Sequence, residues 1–100
     1  MLVPRKKIEI FVEEHAVARV ERMLADAGFK GWSVLESAEG AGSHGAWRQT
    51  GVDERGLLLV VAIGGDEACE KALAWLGDYF KSYPGIVAVS DVAVLRGERF

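Results

Sequence analysis

The first third of the chain shows two hydrophobic periods in succession. Every second residue from Ile8 to Val12 is aliphatic, and a period of two predicts a strand with one fully apolar face. Apolar residues then recur at spacings of three and four, which predicts an amphipathic helix over about 15–28 that Gly28 ends. Residues 30–37 have the composition of a second strand.

The second half of the chain repeats this order. The unbroken apolar run over 57–63 predicts a strand that is buried on both faces and lies inside the sheet. Asp66 is placed to cap the next helix, and Tyr-Pro-Gly at 83–85 is expected to end it. Residues 86–95 predict a last strand, so the order is β-α-β-loop-β-α-β.

This order predicts an α+β fold. Two right-handed β-α-β crossovers give the ferredoxin-like arrangement, a four-stranded antiparallel sheet with both helices on one face. The other face is left bare, although the last two strands are apolar in both directions. Because soluble monomers rarely expose so large an apolar patch, we expect copies of the same chain to cover it, which makes the protein a homo-oligomer.

A glycine-rich segment separates the two halves. Glycines at 40, 42, 45 and 51 predict a long, mobile loop without regular structure until Gly56. In Gly40-Ala41-Gly42-Ser43-His44-Gly45, backbone N–H groups and the Ser43 hydroxyl could converge on a phosphate. The motif is neither a Walker sequence nor a dinucleotide fingerprint, so a plain flexible loop tip is the alternative interpretation.

Arginines follow the last strand. Arg96 and Arg99 carry planar guanidinium groups, which pair well with phosphate. With neighbouring chains of an oligomer in place, we expect the end of the last strand to lie near the start of the loop after strand two. A solvated charged tail is the alternative, just as Lys30 has the ordinary interpretation of a surface cation.

Composition limits the function classes. One hundred residues form one domain, 1–100, and a net charge of −3 argues against nucleic acid as a partner. Cys69 is the only cysteine, so no intrachain disulfide is possible, and we expect its side chain to be buried. No apolar run has the length of a membrane span or of a signal peptide, which predicts a cytoplasmic protein.

The sequence does not predict an enzyme. It shows no nucleophile–base pair, no metal-ligand cluster and no paired carboxylates at useful spacing. His15 is interpreted as a helix-start residue, and His44 has no visible acid partner. We therefore expect neither a catalytic site nor a bound metal.

The chain resembles the PII-like signalling proteins over nearly its whole length. The similarity is carried by Lys-Lys-Ile-Glu at 6–9, Ala-Gly-Phe-Lys-Gly-Trp-Ser-Val at 27–34, Gly-Ala-Gly at 40–42 and Arg-Gly-Glu at 96–98. The resemblance implies a ferredoxin-like homotrimer that binds adenine nucleotides in the clefts between subunits. It also implies a T-loop, here at about 38–56, whose shape follows the ligand and is recognised by a partner protein that the sequence does not identify.

The resemblance also implies a set of site residues. Gly31 and Ser33 match positions that contact the nucleotide base, and Ala62 matches a position that offers its backbone to the adenine. The remaining matches are the base of the T-loop, a loop residue that lines the cleft, and phosphate-binding arginines: Gly40, Gly42 and Ser43, then Gly85, then Arg96 and Arg99.

Departures from the pattern indicate a divergent branch. His44 stands where nitrogen-regulatory members have the glutamine that helps to hold 2-oxoglutarate, and Trp47-Arg48 stands in a shortened loop without a clear counterpart of the uridylylated tyrosine. The chain is more similar to carboxysome-associated PII proteins and to the PII-like partners of bicarbonate transporters. This similarity implies ADP or AMP as ligand, with ATP also considered, and bicarbonate as a second ligand near Arg48 or Arg96.

Two other interpretations stay open at this point. A trimeric ferredoxin-like protein resembling the CutA divalent-ion tolerance proteins is one, although a histidine and cysteine ligand set is missing. A small ferredoxin-like enzyme with His15 or His44 as general base is the other.

Overall fold

A four-stranded antiparallel sheet with two helices on one face forms the body of the protein, in a computed structural model that describes residues 1–36, 39–42, 45–48 and 57–100. Within these residues the strands are β1 (Val3–Val12), β2 (Trp32–Glu36), β3 (Glu39–Gly42), β4 (Gly45–Arg48), β5 (Leu58–Gly64) and β6 (Ile86–Val94). The helices are α1 (Val17–Ala27) and α2 (Asp66–Tyr79), and short 3₁₀ turns occupy Glu14–Ala16 and Gly97–Arg99.

The sheet has the strand order β2-β5-β1-β6, and every neighbouring pair is antiparallel. Ile8 of β1 lies opposite Ala62 of β5 on one side and opposite Val89 of β6 on the other. The predicted α+β ferredoxin-like fold is confirmed, with β5 and β1 as its inner strands.

The core lies between the helices and one face of the sheet. The alternate aliphatic residues of β1 that predicted this strand are fully buried, as is Val60 of β5. From α1 and α2 the core receives Val20, Leu24, Ala72 and Leu76, each with 0% exposure. Apolar periodicity along the chain therefore located the core-facing sides of β1 and α1.

The second face of the sheet, which we call the open face, is less well covered. Leu59, Val61 and Ile63 of β5 are half-buried, Leu35 of β2 is 48% exposed and Ile86 of β6 is 60% exposed. The expectation that β5 is buried on both faces is wrong for a single protomer, because both helices pack on the same side. An apolar run identifies both faces of a strand as apolar but does not say what covers each one.

The observed helix ends agree only in part with those predicted from the sequence. Gly28 ends α1 in a left-handed conformation, φ 113°, and its N–H donates to the Leu24 and Ala25 carbonyls. Asp66 is the first residue of α2 rather than its cap; Gly65 is the N-cap, and no side chain caps the helix. α2 ends at Tyr79, before the Tyr-Pro-Gly sequence, because the chain from Phe80 continues in turns, including one that Tyr83 N–H closes on the Tyr79 carbonyl.

The glycine-rich segment contains a hairpin. β3 and β4 pair antiparallel, with Gly40 opposite Trp47 and Gly42 opposite Gly45. The prediction that no regular structure forms before Gly56 is wrong for these two strands, because the ladder hydrogen bonds are made by the backbone and extended geometry is open to glycine. Residues 37–38, 43–44 and 49–56 lie outside the described residues; they include Ser43, His44 and the other residues of the predicted T-loop that β3 and β4 do not contain.

Candidate functional site

The predicted site residues fall at two opposite ends of the sheet strands. At the first, which we call the turn edge, β1 and β2 begin and β5 and β6 end; it carries Lys30, Gly31 and the C-terminal turn 96–99. At the second, the loop edge, β1 and β2 end and β5 and β6 begin; it carries Gly85 and continues from Glu36 towards β3. A nine-residue strand such as β6 separates them by roughly 30 Å.

The C-terminal turn has a constrained backbone. Arg96 has φ 59° and ψ 49°, the left-handed region that residues other than glycine seldom adopt. The Arg99 N–H donates to the Arg96 carbonyl at 2.9 Å, and the Phe100 N–H donates to the Gly97 carbonyl at 3.1 Å. Arg96 and Arg99 are both exposed at this turn, so two guanidinium groups are available to an anion at the turn edge.

Two further cationic side chains donate hydrogen bonds to backbone carbonyls of the C-terminal turn. Lys30 Nζ donates to the Glu98 carbonyl at 2.8 Å, and Arg5 Nη2 donates to the Gly97 carbonyl at 2.9 Å. Hydrogen bonds from a charged donor are the stronger class. The turn that bears Arg96 and Arg99 is therefore held both to β1 and to the segment before β2.

Contacts with β5 and α1 hold the start of β2 in place. Phe29 is 4% exposed, and its ring lies so close to Gly64 that a Cβ there would approach it to 2.7 Å. Trp32 Nε1 donates to Glu21 Oε2 of α1 at 2.8 Å. Gly31 lies exposed between these anchors, and Ser33 is exposed on the open face of β2.

Ala62 has a different environment. Its side chain is 2% exposed, and it lies opposite Ile8 of β1 and Trp32 of β2. Strands therefore flank its backbone on both sides within the protomer. A backbone contact from Ala62 to an adenine ring stays a prediction.

The loop edge is shaped by glycine. Gly85 has φ 146°, and a Cβ there would lie 2.5 Å from the Phe11 carbonyl oxygen and 2.6 Å from the Phe80 ring. Gly40 and Gly42 belong to β3, and the backbone of Arg48 pairs with that of Glu39 at the open end of the hairpin. Ser43 lies outside the described residues, and nothing is described of the Arg48 side chain.

The protomer thus brings together only part of the predicted site. Gly31, Arg96 and Arg99 share the turn edge, whereas Gly85 lies at the loop edge. Gly40 and Gly42 belong to β3, which follows the end of β2 at the loop edge along the chain. The predicted approach of Arg96 to the loop after β2 does not occur within one chain, because the two lie at opposite ends of the strands. The prediction places this approach between neighbouring copies, and it stays a prediction.

Two other titratable groups near the turn edge, Lys6 and Cys69, have a raised pKa. Lys6 contacts Asp91 across β1 and β6, and this hydrogen bond to the carboxylate raises the pKa of Lys6. Cys69 is buried as expected, and burial raises the pKa of its thiol. Among the described residues, no group of three metal-ligating side chains is found, and neither helix there is long and apolar enough to cross a membrane.

A separate groove of about 210 Å³ lies near the end of α2. Trp75, Tyr79 and Tyr83 stack in sequence there, with ring centroids 5.3 Å and 4.7 Å apart, and the Arg19 guanidinium lies over the last two rings. None of the predicted site residues lines this groove, which Asp78 and Ser82 complete.

Comparison with known proteins identifies the fold family. The family model described as nitrogen regulatory protein P-II matches residues 5–99. The chain belongs to this family. The expected resemblance is confirmed, in preference to the CutA-like alternative, and membership in a family of regulatory proteins fits the expectation that the chain is not an enzyme. No curated protein matches the chain significantly.

Solved structures give a closer comparison for this P-II protein. CPII, a nitrogen regulatory PII-like protein from Thiomonas intermedia K12, bound to ADP, AMP and bicarbonate, is 29% identical over 100% of this chain and 96% of its own, with a TM-score of 0.91. The apo form of CPII is 25% identical over 94% and 95%, with a TM-score of 0.76. A putative PII-like signalling protein from Thermus thermophilus is 31% identical over 99% and 97%, with a TM-score of 0.83.

Sequence reasoning missed two residues of the turn edge. The sequence predicts Lys30 only as a surface cation and indicates no role for Arg5; Lys30 is exposed as expected, and both side chains also donate to carbonyl groups of the C-terminal turn. The only signal in the chain is that Lys30 stands directly before the Gly31 of the family-like segment. A contact between positions 30 and 98 depends on the tertiary fold and has no local pattern.

Proposed function

We propose that this P-II family protein is a sensor that binds an adenine nucleotide, ADP or AMP with ATP as a further candidate, between neighbouring copies of the chain. The turn edge of one copy and the loop edge of the next form the two halves of the cleft. One observation carries the proposal: the predicted site residues lie at opposite ends of the same strands, so a complete site needs two chains.

The charge of the turn edge supports the nucleotide's phosphates as ligand. Arg96 and Arg99 are exposed on a turn whose carbonyl groups are held by Lys30 and Arg5. Four cationic side chains, with the exposed carboxylate of Glu98 among them, therefore lie at one end of a chain with net charge −3. Arginine donates two parallel hydrogen bonds to a phosphate, and the base would contact Gly31 and Ser33.

The open face supports a homo-oligomer, and membership of the P-II family supports three copies. Leu35 and Ile86 are exposed, and Leu59, Val61 and Ile63 are only half-buried, which leaves apolar surface that a second and third copy would remove from water. In the proposed trimer, the turn edge of one copy lies beside the loop edge of the next. Light scattering should give three times the protomer mass of 10.9 kDa.

Bicarbonate is the proposed second ligand. Related CPII has been solved with ADP and bicarbonate, and a planar oxyanion of this kind suits the paired donors of an arginine, Arg48 or Arg96. The segment 38–56 is proposed to act as the T-loop. Fixing it costs roughly 1–2 kcal/mol per residue, so its conformation would follow the ligand, and a partner protein would recognise that conformation.

Titration calorimetry tests the proposal. ADP, AMP and ATP are titrated into the oligomer with and without bicarbonate, and Arg22→Ala, an exposed arginine of α1, serves as the matched control for Arg96→Ala. We expect one nucleotide per protomer, tighter ADP binding with bicarbonate present, and the same coupling when the order of addition is reversed. No heat of binding from any adenylate would refute the sensor, and equal ADP affinities with and without bicarbonate would remove the second ligand alone.

A further inference from the structure

Lys30 connects two parts of the predicted site through one side-chain hydrogen bond. It directly precedes Gly31, and its Nζ donates to the carbonyl of Glu98, which lies between Arg96 and Arg99 in the C-terminal turn. The bonded residues are 68 positions apart in the chain. A single side chain thus ties the proposed base-contacting segment to the proposed phosphate-contacting turn.

The backbone of Lys30 is well placed to act as a fixed anchor. Phe29 on one side is buried against Gly64, and Trp32 on the other side is half-buried and bonded to Glu21 of α1. The lysine therefore extends from a segment whose position the core determines. Its side chain has only to span the gap to the turn.

The C-terminal turn needs such an anchor. Arg96 occupies the left-handed region, and a residue other than glycine is held there only where the surroundings fix it. The carbonyls of Arg96, Gly97 and Glu98 all accept hydrogen bonds: from the Arg99 N–H, from Arg5 together with the Phe100 N–H, and from Lys30. Lys30 supplies the last of these, and no other bond to the Glu98 carbonyl appears among the described residues.

We propose that Lys30 is a positioning residue, which sets the nucleotide affinity by holding the turn that bears Arg96 and Arg99 in register with Gly31 and Ser33. The inference rests on the proposed function for its ligand but not for the hydrogen bond itself. It differs from direct contact, in which the Lys30 ammonium would bind the phosphates as a point charge. The two mechanisms predict different coupling to Arg96.

The test combines amide exchange with ADP titration in four proteins: wild type, Lys30→Met, Lys30→Arg, and Lys71→Met as a control that removes an exposed lysine of α2 paired with Glu67. Lys30→Met keeps the aliphatic stem but has no donor. We expect it to speed exchange of the Arg99 and Phe100 amides and to weaken ADP binding about 3- to 10-fold, the scale of one modest hydrogen bond. Lys30→Arg should keep the amide exchange rates and the ADP affinity close to the wild-type values. Lys71→Met should change neither the exchange rates nor the affinity.

A double-mutant cycle separates positioning from direct contact. In an Arg96→Ala background, Lys30→Met should weaken ADP binding much less than it does in the wild type. The reason is that the Arg96 guanidinium, which Lys30 is proposed to position, is already absent. The inference is overturned if the Arg99 and Phe100 amides exchange at wild-type rates in Lys30→Met, if ADP affinity is unchanged, or if the full loss persists in the Arg96→Ala background. If the wild type binds no adenylate, the proposed function fails, and amide exchange alone still decides whether Lys30 holds the turn.

Discussion

The turn edge and the loop edge lie at opposite ends of the same strands, yet different interactions hold them. At the turn edge, side-chain donors reach backbone carbonyls and a carboxylate, from Arg5, Lys30 and Trp32. At the loop edge, close backbone packing around Gly85 sets the conformation, and the chain continues into a glycine-rich hairpin. One half of the proposed cleft is built of polar contacts and charge, and the described part of the other is built of closely packed backbone.

The difference suggests a division of roles. A fixed, cationic surface suits recognition of a phosphate, because its donors are already in place. A glycine-rich segment suits the proposed response, because glycine restricts the backbone least. Substitutions at the two edges should therefore have different effects: loop-edge changes should affect folding most, and turn-edge changes should affect binding most.

The largest expected effect is at Gly85. Gly85→Ala places a Cβ against the Phe11 carbonyl and the Phe80 ring, at a φ of 146° that L residues rarely adopt. We expect a loss of about 2–4 kcal/mol in the free energy of unfolding from strain and overpacking. Urea denaturation measures it.

Gly77→Ala is the matched control. Gly77 lies inside α2, and nothing lies within 4 Å of a Cβ added there, so alanine should stabilise the protein by about 0.5–1 kcal/mol. Equal stability of the Gly85→Ala and wild-type proteins would contradict the steric account of the loop edge.

The next effect is on binding at the turn edge. Arg96→Ala should weaken ADP binding by about 1.5–3 kcal/mol, the range for a hydrogen bond to a charged group. Because Arg96 is exposed, the melting temperature of the unliganded protein should stay close to the wild-type value. A large loss of stability with an unchanged dissociation constant would mean that this arginine serves the fold and not the ligand.

A smaller effect is expected at the start of β2. Trp32→Phe keeps an aromatic ring but removes the 2.8 Å hydrogen bond to Glu21, and we expect a loss of about 1 kcal/mol in unfolding free energy. Glu21→Gln, which retains an acceptor oxygen, should cost less. The order of the two variants in denaturant midpoint is the measurement, and the reverse order would remove this bond from the account.

The smallest effect concerns pH. Burial raises the pKa of the Cys69 thiol above its ordinary value of 9.0, so the folded protein holds this proton more tightly than the unfolded chain. The stabilisation is complete below about pH 9 and is lost as pH rises through the folded-state pKa. The difference in unfolding free energy between wild type and Cys69→Ala should therefore narrow at alkaline pH, and a constant difference would show that the thiol is not desolvated.

The fold followed from the sequence to a large extent because its determinants are periodic. Alternation from Ile8 to Val12 and the i, i+3 and i+4 spacing of α1 each report a local geometry, and Gly28 supplies a local stop. The β3–β4 hairpin did not follow, because glycine pairs through backbone groups that every residue carries. The sequence also did not predict that only one face of β5 is fully buried, because this depends on which side of the sheet the two helices pack.

The arrangement of the candidate site could be predicted from the sequence less well than the fold. The resemblance named residues such as Gly31, Gly85 and Arg96, and their division between two edges became clear only from the strand order and register. The contacts from Arg5 and Lys30 to the C-terminal turn join positions far apart in the chain, and no spacing rule connects them. The resemblance predicts which residues form the site, and the strand order and register show where those residues lie within one chain.

Crystals of the protein grown with ADP provide the most direct measurement of the central claim, that one site is shared between two chains. The account predicts ADP between neighbouring protomers, with its phosphates at Arg96 or Arg99 of one chain and the Gly85 loop of the other chain lining the cleft. ADP bound wholly within one protomer, or away from both edges, would contradict it.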